Sequence, residues 1–152
     1  MRLAALTAGL FVALTGASFA QYAEPADLLE AFYEPYFTGE FPDDESQFRS
    51  EGLQALYDAD AENTPEGELG ALSFDPYIVG QDYDITDLII GEPVPEDGAM
   101  LVEVTFKNFD EPVSLTYELV EEDGWKINDV VSTNPDNAYR LSEIFGDASA
   151  AE

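Results

Sequence analysis

The chain has 152 residues, with 33 Asp and Glu against 5 Lys and Arg, a net charge of −28, and neither Cys nor His. A field of that sign repels phosphate backbones and anionic lipid, which excludes nucleic-acid binding and favours basic proteins or other cationic visitors. Without thiol or imidazole there is no zinc, copper or haem site built from those ligands, no cysteine nucleophile and no His-assisted serine triad.

The first segment reads as an address. Met1-Arg2 is a minimal basic start, residues 3–15 are an apolar run, and Ser18 and Ala20 stand at the −3 and −1 places of a cleavage site. The pattern predicts a signal peptide over residues 1–20, cut before Gln21, and a mature protein in the periplasm or outside the cell. The run is too short for a bilayer core of roughly 30 Å, so no membrane insertion is expected. Cleavage removes Arg2 and no acid, making the remainder one charge more negative than −28. Residues 21–146 are expected to form a single α+β domain, monomeric or dimeric, stabilised by core packing without disulfides.

Residues 24–37 predict a helix. Pro25 suits a first turn, Glu24 and Asp27 complement the N-terminal dipole, and Leu28, Leu29, Phe32, Tyr33 and Tyr36 share one face. Pro35 lacks the N–H and crowds the Ala31 carbonyl, so a kink or an end is expected there. Asp44 with Gln47 resembles a capping box opening a second helix over residues 45–57. Residues 58–68 read as a solvated acidic loop. Asp58, Asp60 and Glu62 sit at calcium-loop spacing, but Asn63 stands where Gly is required and Leu69 where a bidentate acid would close the site. No metal or cofactor is expected.

Residues 72–84 are too apolar for a bare loop, yet carry Asp75, Gln81 and Asp82. Pro76 pushes Asp75 out of the helical region and suits a turn that sends Phe74 and Tyr77 inward, with Asp75 and Asp82 capping amides. Four strands follow as an antiparallel meander, at residues 85–94, 99–108, 113–120 and 125–131, separated by turns. Alternation puts Val102, Val104 and Phe106 on one face, and Leu115, Tyr117 and Leu119 on another inward row. By the same rule Trp125, Ile127, Asp129 and Val131 share a face. A short helix over residues 139–145, ended by Gly146, and a disordered tail at 147–152 complete the expected fold.

Phe32-Tyr33-x-x-Tyr36, Phe74-Asp75-Pro76-Tyr77 with Gln81-Asp82, and Gly124-Trp125-Lys126-Ile127-x-Asp129-Val130 together resemble a bacterial exported family. The fold of that family is similar to the nuclear transport factor 2-like, or cystatin-like, cone. The resemblance covers about residues 26–145 and implies a curved four-stranded sheet wrapped on the N-terminal helices, with one open end. It brings no established active-site residues, and fold alone does not give function.

Two functions stand side by side. The first is a non-catalytic binding module for an envelope protein partner, favoured if basic, or for a small apolar ligand. Its pocket would be lined by Phe32, Tyr33, Tyr36, Asp75, Tyr77, Gln81, Asp82, Trp125 and Asp129. The second is an isomerase- or dehydratase-like enzyme, with Asp129 as base and Tyr33, Tyr36 or Tyr117 as donor, a combination that ketosteroid isomerases use.

Overall fold

The computed structural model describes residues 22–150. The expected signal peptide, its cleavage point and the last two residues of the tail lie outside them. The chain forms an α+β domain of three helices and an open, antiparallel six-stranded sheet around one hydrophobic core. No helix among the described residues is long and apolar enough to cross a membrane.

Helix α1, Pro25–Thr38, buries Leu28, Leu29, Phe32, Tyr33 and Tyr36 as its periodicity predicts. It does not end at Pro35. The proline ring is itself buried, and the helix closes one turn later, where Gly39 at φ 74° donates to the Pro35 carbonyl at 2.7 Å. Burial of the apolar face that carries Phe32, Tyr33 and Tyr36 outweighs the single lost hydrogen bond.

The second helix starts later than its capping box. Asp44 Oδ1 does accept the Ser46 N–H at 2.8 Å, but it opens only a single 3-10 turn, Ser46–Phe48. Helix α2, Glu51–Asn63, begins instead at the buried Ser50, whose Oγ accepts the Leu53 N–H at 3.0 Å. The Ser50 N–H is bonded to the Ile127 carbonyl at 2.8 Å, so a tertiary strand-like contact decides where the helix can start. Residues 58–63, expected in a loop, continue α2, because nothing breaks the helix before Pro65.

The sheet comprises β1 Ile85–Ile90, β2 Val94–Glu96, β3 Ala99–Asn108, β4 Glu111–Glu121, β5 Trp125–Ser132 and β6 Tyr139–Arg140, in the order β1-β3-β4-β5-β6 with β2 also on β3. The strand expected over residues 85–94 is broken. Gly91 donates to Glu103 O at 2.8 Å, so close that a Cβ there would stand 2.9 Å from that oxygen, and Pro93 follows without a donor. Strand β6, read as part of a loop and helix, is the other addition. On β3 and β4 the inward rows are as expected, with Val102 opposite Tyr117 and Val104 opposite Leu115.

One bulge corrects the reading of β5. Glu118 pairs with Asp129 and Leu119 with Ile127, so Asn128 is an extra residue. Ile127 and Val130 therefore face the core, while Asp129 and Val131 are turned to the opposite face. There Asp129 is 3% exposed and saturated: Oδ1 accepts Val130 N–H and Ser142 N–H, and Oδ2 accepts Arg140 Nη1 at 2.8 Å and Ser142 Oγ at 2.6 Å. It thereby caps helix α3, Leu141–Ala150, which starts two residues later than expected and runs through Gly146 into the segment read as disordered. Leu141 and Phe145 hold it to the core, with Phe145 4.8 Å from Tyr57.

Asp129→Ala is expected to lower stability by about 2–3 kcal/mol, since it strips a buried acceptor from four donors. Lys107→Ala, which breaks an ion pair exposed on both sides, is expected to leave the urea midpoint essentially unchanged. Urea unfolding of the two variants checks the contrast.

Candidate functional site

The odd stretch at residues 72–84 is a structured loop. Its Asp75 N–H donates to the Gly80 carbonyl at 2.8 Å, and Asp75 Oδ1 accepts the Tyr77 N–H at 2.8 Å, the turn that the Asp-Pro pair favours. Asn108, buried at the end of β3, donates to the carbonyls of Ile78 and Asp82 and accepts the Asp84 N–H at 2.8 Å. Tyr139 adds a hydrogen bond to the Pro76 carbonyl and packs its ring on Phe74 at 5.3 Å. The loop is thus fixed to β3 by three hydrogen bonds of Asn108 and to β6 by one from Tyr139.

Between this loop, the end of α1 and the start of α2 lies a cleft of about 390 Å³. Tyr36 and Asp75 meet on its wall, the phenol donating to Asp75 Oδ2 at 2.6 Å. Phe41 and Tyr83 close on Tyr36 at 5.2 Å and 5.3 Å, nearly perpendicular to it, and lie 5.9 Å from one another. At the other end the Tyr57 and Tyr77 hydroxyls are 3.1 Å apart, and the Arg49 guanidinium covers the Tyr57 ring at 3.9 Å. Arg49 is bonded to Glu45 at 2.8 Å and Gln54 at 3.1 Å, while its Nε is buried and makes no hydrogen bond.

Burial sets the protonation of these groups. The Tyr36 phenol is held far above the ordinary range by desolvation and then by the Asp75 charge, so it remains a donor. Tyr57 is raised in the same way, by burial and then by Tyr77. Asp75 is raised by desolvation against the opposing pull of the Tyr36 and Tyr77 hydrogen bonds and of Arg49. For Arg49, desolvation pulls down, but Tyr77, Tyr57 and Glu45 outweigh it and the net shift is upward.

Of the residues expected to line a pocket, Tyr36, Asp75, Tyr77 and Gln81 come together here. Phe32 and Tyr33 lie beneath the cleft in the core, Phe32 packed on Tyr77 at 4.7 Å. Asp82 is exposed and contributes its carbonyl rather than its carboxylate. Trp125 is half-buried at the start of β5, its backbone N–H donating to the Tyr22 carbonyl, away from the cleft. The catalytic alternative is not assembled. Tyr33 and Tyr117 share a 2.7 Å hydrogen bond inside the core, while Asp129 stands on the other face of the sheet.

Arg49, Tyr57, Phe41 and Tyr83 complete the cleft beyond the residues that the sequence pattern predicts for it. A usable signal existed for Arg49: it is one of 5 basic residues in the chain and is followed by the helix start at Ser50. Comparison with family models, curated proteins and solved structures finds no match.

The raised pKa of Asp75 has a signed consequence. Its contribution to stability is present in full below the unfolded value of about 3.9 and is lost as pH rises through the folded value. Wild type should therefore lose ground to Asp75→Asn as pH rises above about 4, with Glu45 and Arg49 common to both. Urea midpoints of the two proteins across that range measure it; parallel midpoints would mean that burial of Asp75 is not felt.

Proposed function

We propose that the chain is an exported, non-catalytic binding module whose ligand site is the cleft of Tyr36, Phe41, Asp75 and Tyr83. The observation that carries this reading is the exposure of Phe41 and Tyr83, 41% and 40%, at the rim of a concave hollow rich in aromatic side chains. Large exposed aromatics framing a cleft of this volume, with a few fixed polar groups on the wall, are the usual make-up of a small-molecule site. Residues 1–20 act as its leader and the mature protein works in the periplasm or beyond. Its N-terminal residue there is expected to be Gln21, which intact-mass measurement on the exported protein decides.

On this reading the sheet and α1 correspond to the nuclear transport factor 2-like cone of the family resemblance. The interior of that cone is filled by Phe32, Tyr33, Tyr77 and Tyr117, all buried. The ligand is therefore received at the mouth. A catalytic set forms no part of the proposal.

A second reading, a basic envelope protein docked on the outer face of the sheet, draws on Ile89 and Val94, 63% and 56% exposed, together with the acidity of the chain. Amide chemical shifts of the mature protein, titrated with benzyl alcohol and cyclohexanol, separate the two. Shifts clustered at Phe41, Gln81 and Tyr83, and weakened by Tyr83→Ala, are expected. Shifts around Ile89 and Thr105 instead would move the site to the sheet, and none at all would remove the small-ligand reading.

A further inference from the structure

We propose that the cleft takes an organic ammonium cation, alkylated at nitrogen and carrying an apolar body; this rests on the cleft being the ligand site. The chain has already built such a site once for a cation of its own. Arg49 lies on the face of Tyr57 at 3.9 Å and pairs with the Glu45 carboxylate at 2.8 Å, a charge held between a ring and an acid.

A carboxylate faced by rings recurs beside it. Asp75 is the carboxylate, and Tyr36, Phe41 and Tyr83 are the rings. Asp75 makes no ion pair among the described residues, and each of its oxygens accepts one hydrogen bond, from Tyr36 and from Tyr77. An ionised carboxylate offers about four acceptor sites, so half its capacity is still open. With Arg49 offset by Glu45, the charged groups of the lining leave one negative charge, that of Asp75.

The ring arrangement adds to this. Tyr36 meets Phe41 at 88° and Tyr83 at 90°, so edges and faces alternate, and the rim rings keep about two-fifths of their surface exposed. Ring faces carry the negative part of the quadrupole and attract weakly hydrated cations. A hard divalent ion is poorly served, because it needs six or more oxygens. Among the described residues no group of three or more acidic side chains could hold a metal. An anion meets the opposite problem, since the whole chain carries −28 and Arg49 is already engaged.

The test pairs benzyltrimethylammonium with neopentylbenzene, its uncharged counterpart of the same shape, kept below its solubility limit. Each is titrated into the mature protein at about 150 mM salt, where exposed charges are screened beyond roughly 8 Å. The cation is expected to bind at the cleft about tenfold or more tightly than the neutral probe. Asp75→Asn and Tyr83→Ala should each weaken the cation about fivefold or more, and leave the neutral probe less affected by the first change. Urea unfolding confirms that both variants stay folded.

Equal binding of both probes at the cleft, unchanged in Asp75→Asn, overturns the ammonium proposal and leaves the cleft as a ligand site. Cation shifts scattered over the acidic surface and abolished by salt overturn it too. Silence of the cleft amides to both probes overturns it together with the reading it rests on.

Discussion

The hydroxyl of Tyr33 joins three parts of the protein. From the middle of α1 it donates to the Tyr77 carbonyl at 2.9 Å and shares a 2.7 Å hydrogen bond with Tyr117 on β4. One buried phenol therefore ties helix, loop and sheet together. Burial raises all three tyrosines above the ordinary phenol range, so the network is neutral and its protons are in place. A neutral, satisfied network in a dry interior fixes a unique arrangement without the desolvation cost of an ion pair. Phe32 packs beside it against Tyr77 and Tyr117, and the cleft is what remains above this filled core.

Short-range patterns in the chain announced much of this. The apolar stripe of α1 and the alternation on β3 and β4 follow from periods of 3.6 and 2.0, which side-chain direction alone imposes. The turn at Asp75-Pro76 was legible for the same reason, being a matter of adjacent residues. What could not be read depends on partners far away in sequence. Ser50 starts α2 because Ile127 takes its N–H, and Asn108 anchors a loop about 26–30 residues upstream. The bulge at Asn128 has no marker of its own, and one extra residue was enough to reverse the face of Asp129. For the site, the wall residues Tyr36, Asp75 and Tyr77 were visible as an aromatic and polar cluster. Arg49, Tyr57, Phe41 and Tyr83 join them only through tertiary packing.

Charge is divided between two purposes. The described cations all serve the fold: Arg49 binds Glu45, Lys107 binds Asp87, Arg140 bridges Glu118 and Asp129, and Lys126 bonds the Gln47 carbonyl. The pKa of Arg140 rises through its hydrogen bonds to those two acids, a sign of how firmly it is engaged. Most carboxylates thus have no fixed counter-charge, and the surface keeps a strong negative field that discourages self-association.

The clamping of residues 72–84 by Asn108 and Tyr139 bears on how fast a guest could come and go. A wall secured at several points before contact demands little ordering when it is occupied, so less of the binding free energy is consumed in freezing loose chain. On the proposed binding reading, capture waits on diffusion and orientation rather than on a hinge, and the residence time reports the quality of the contacts themselves.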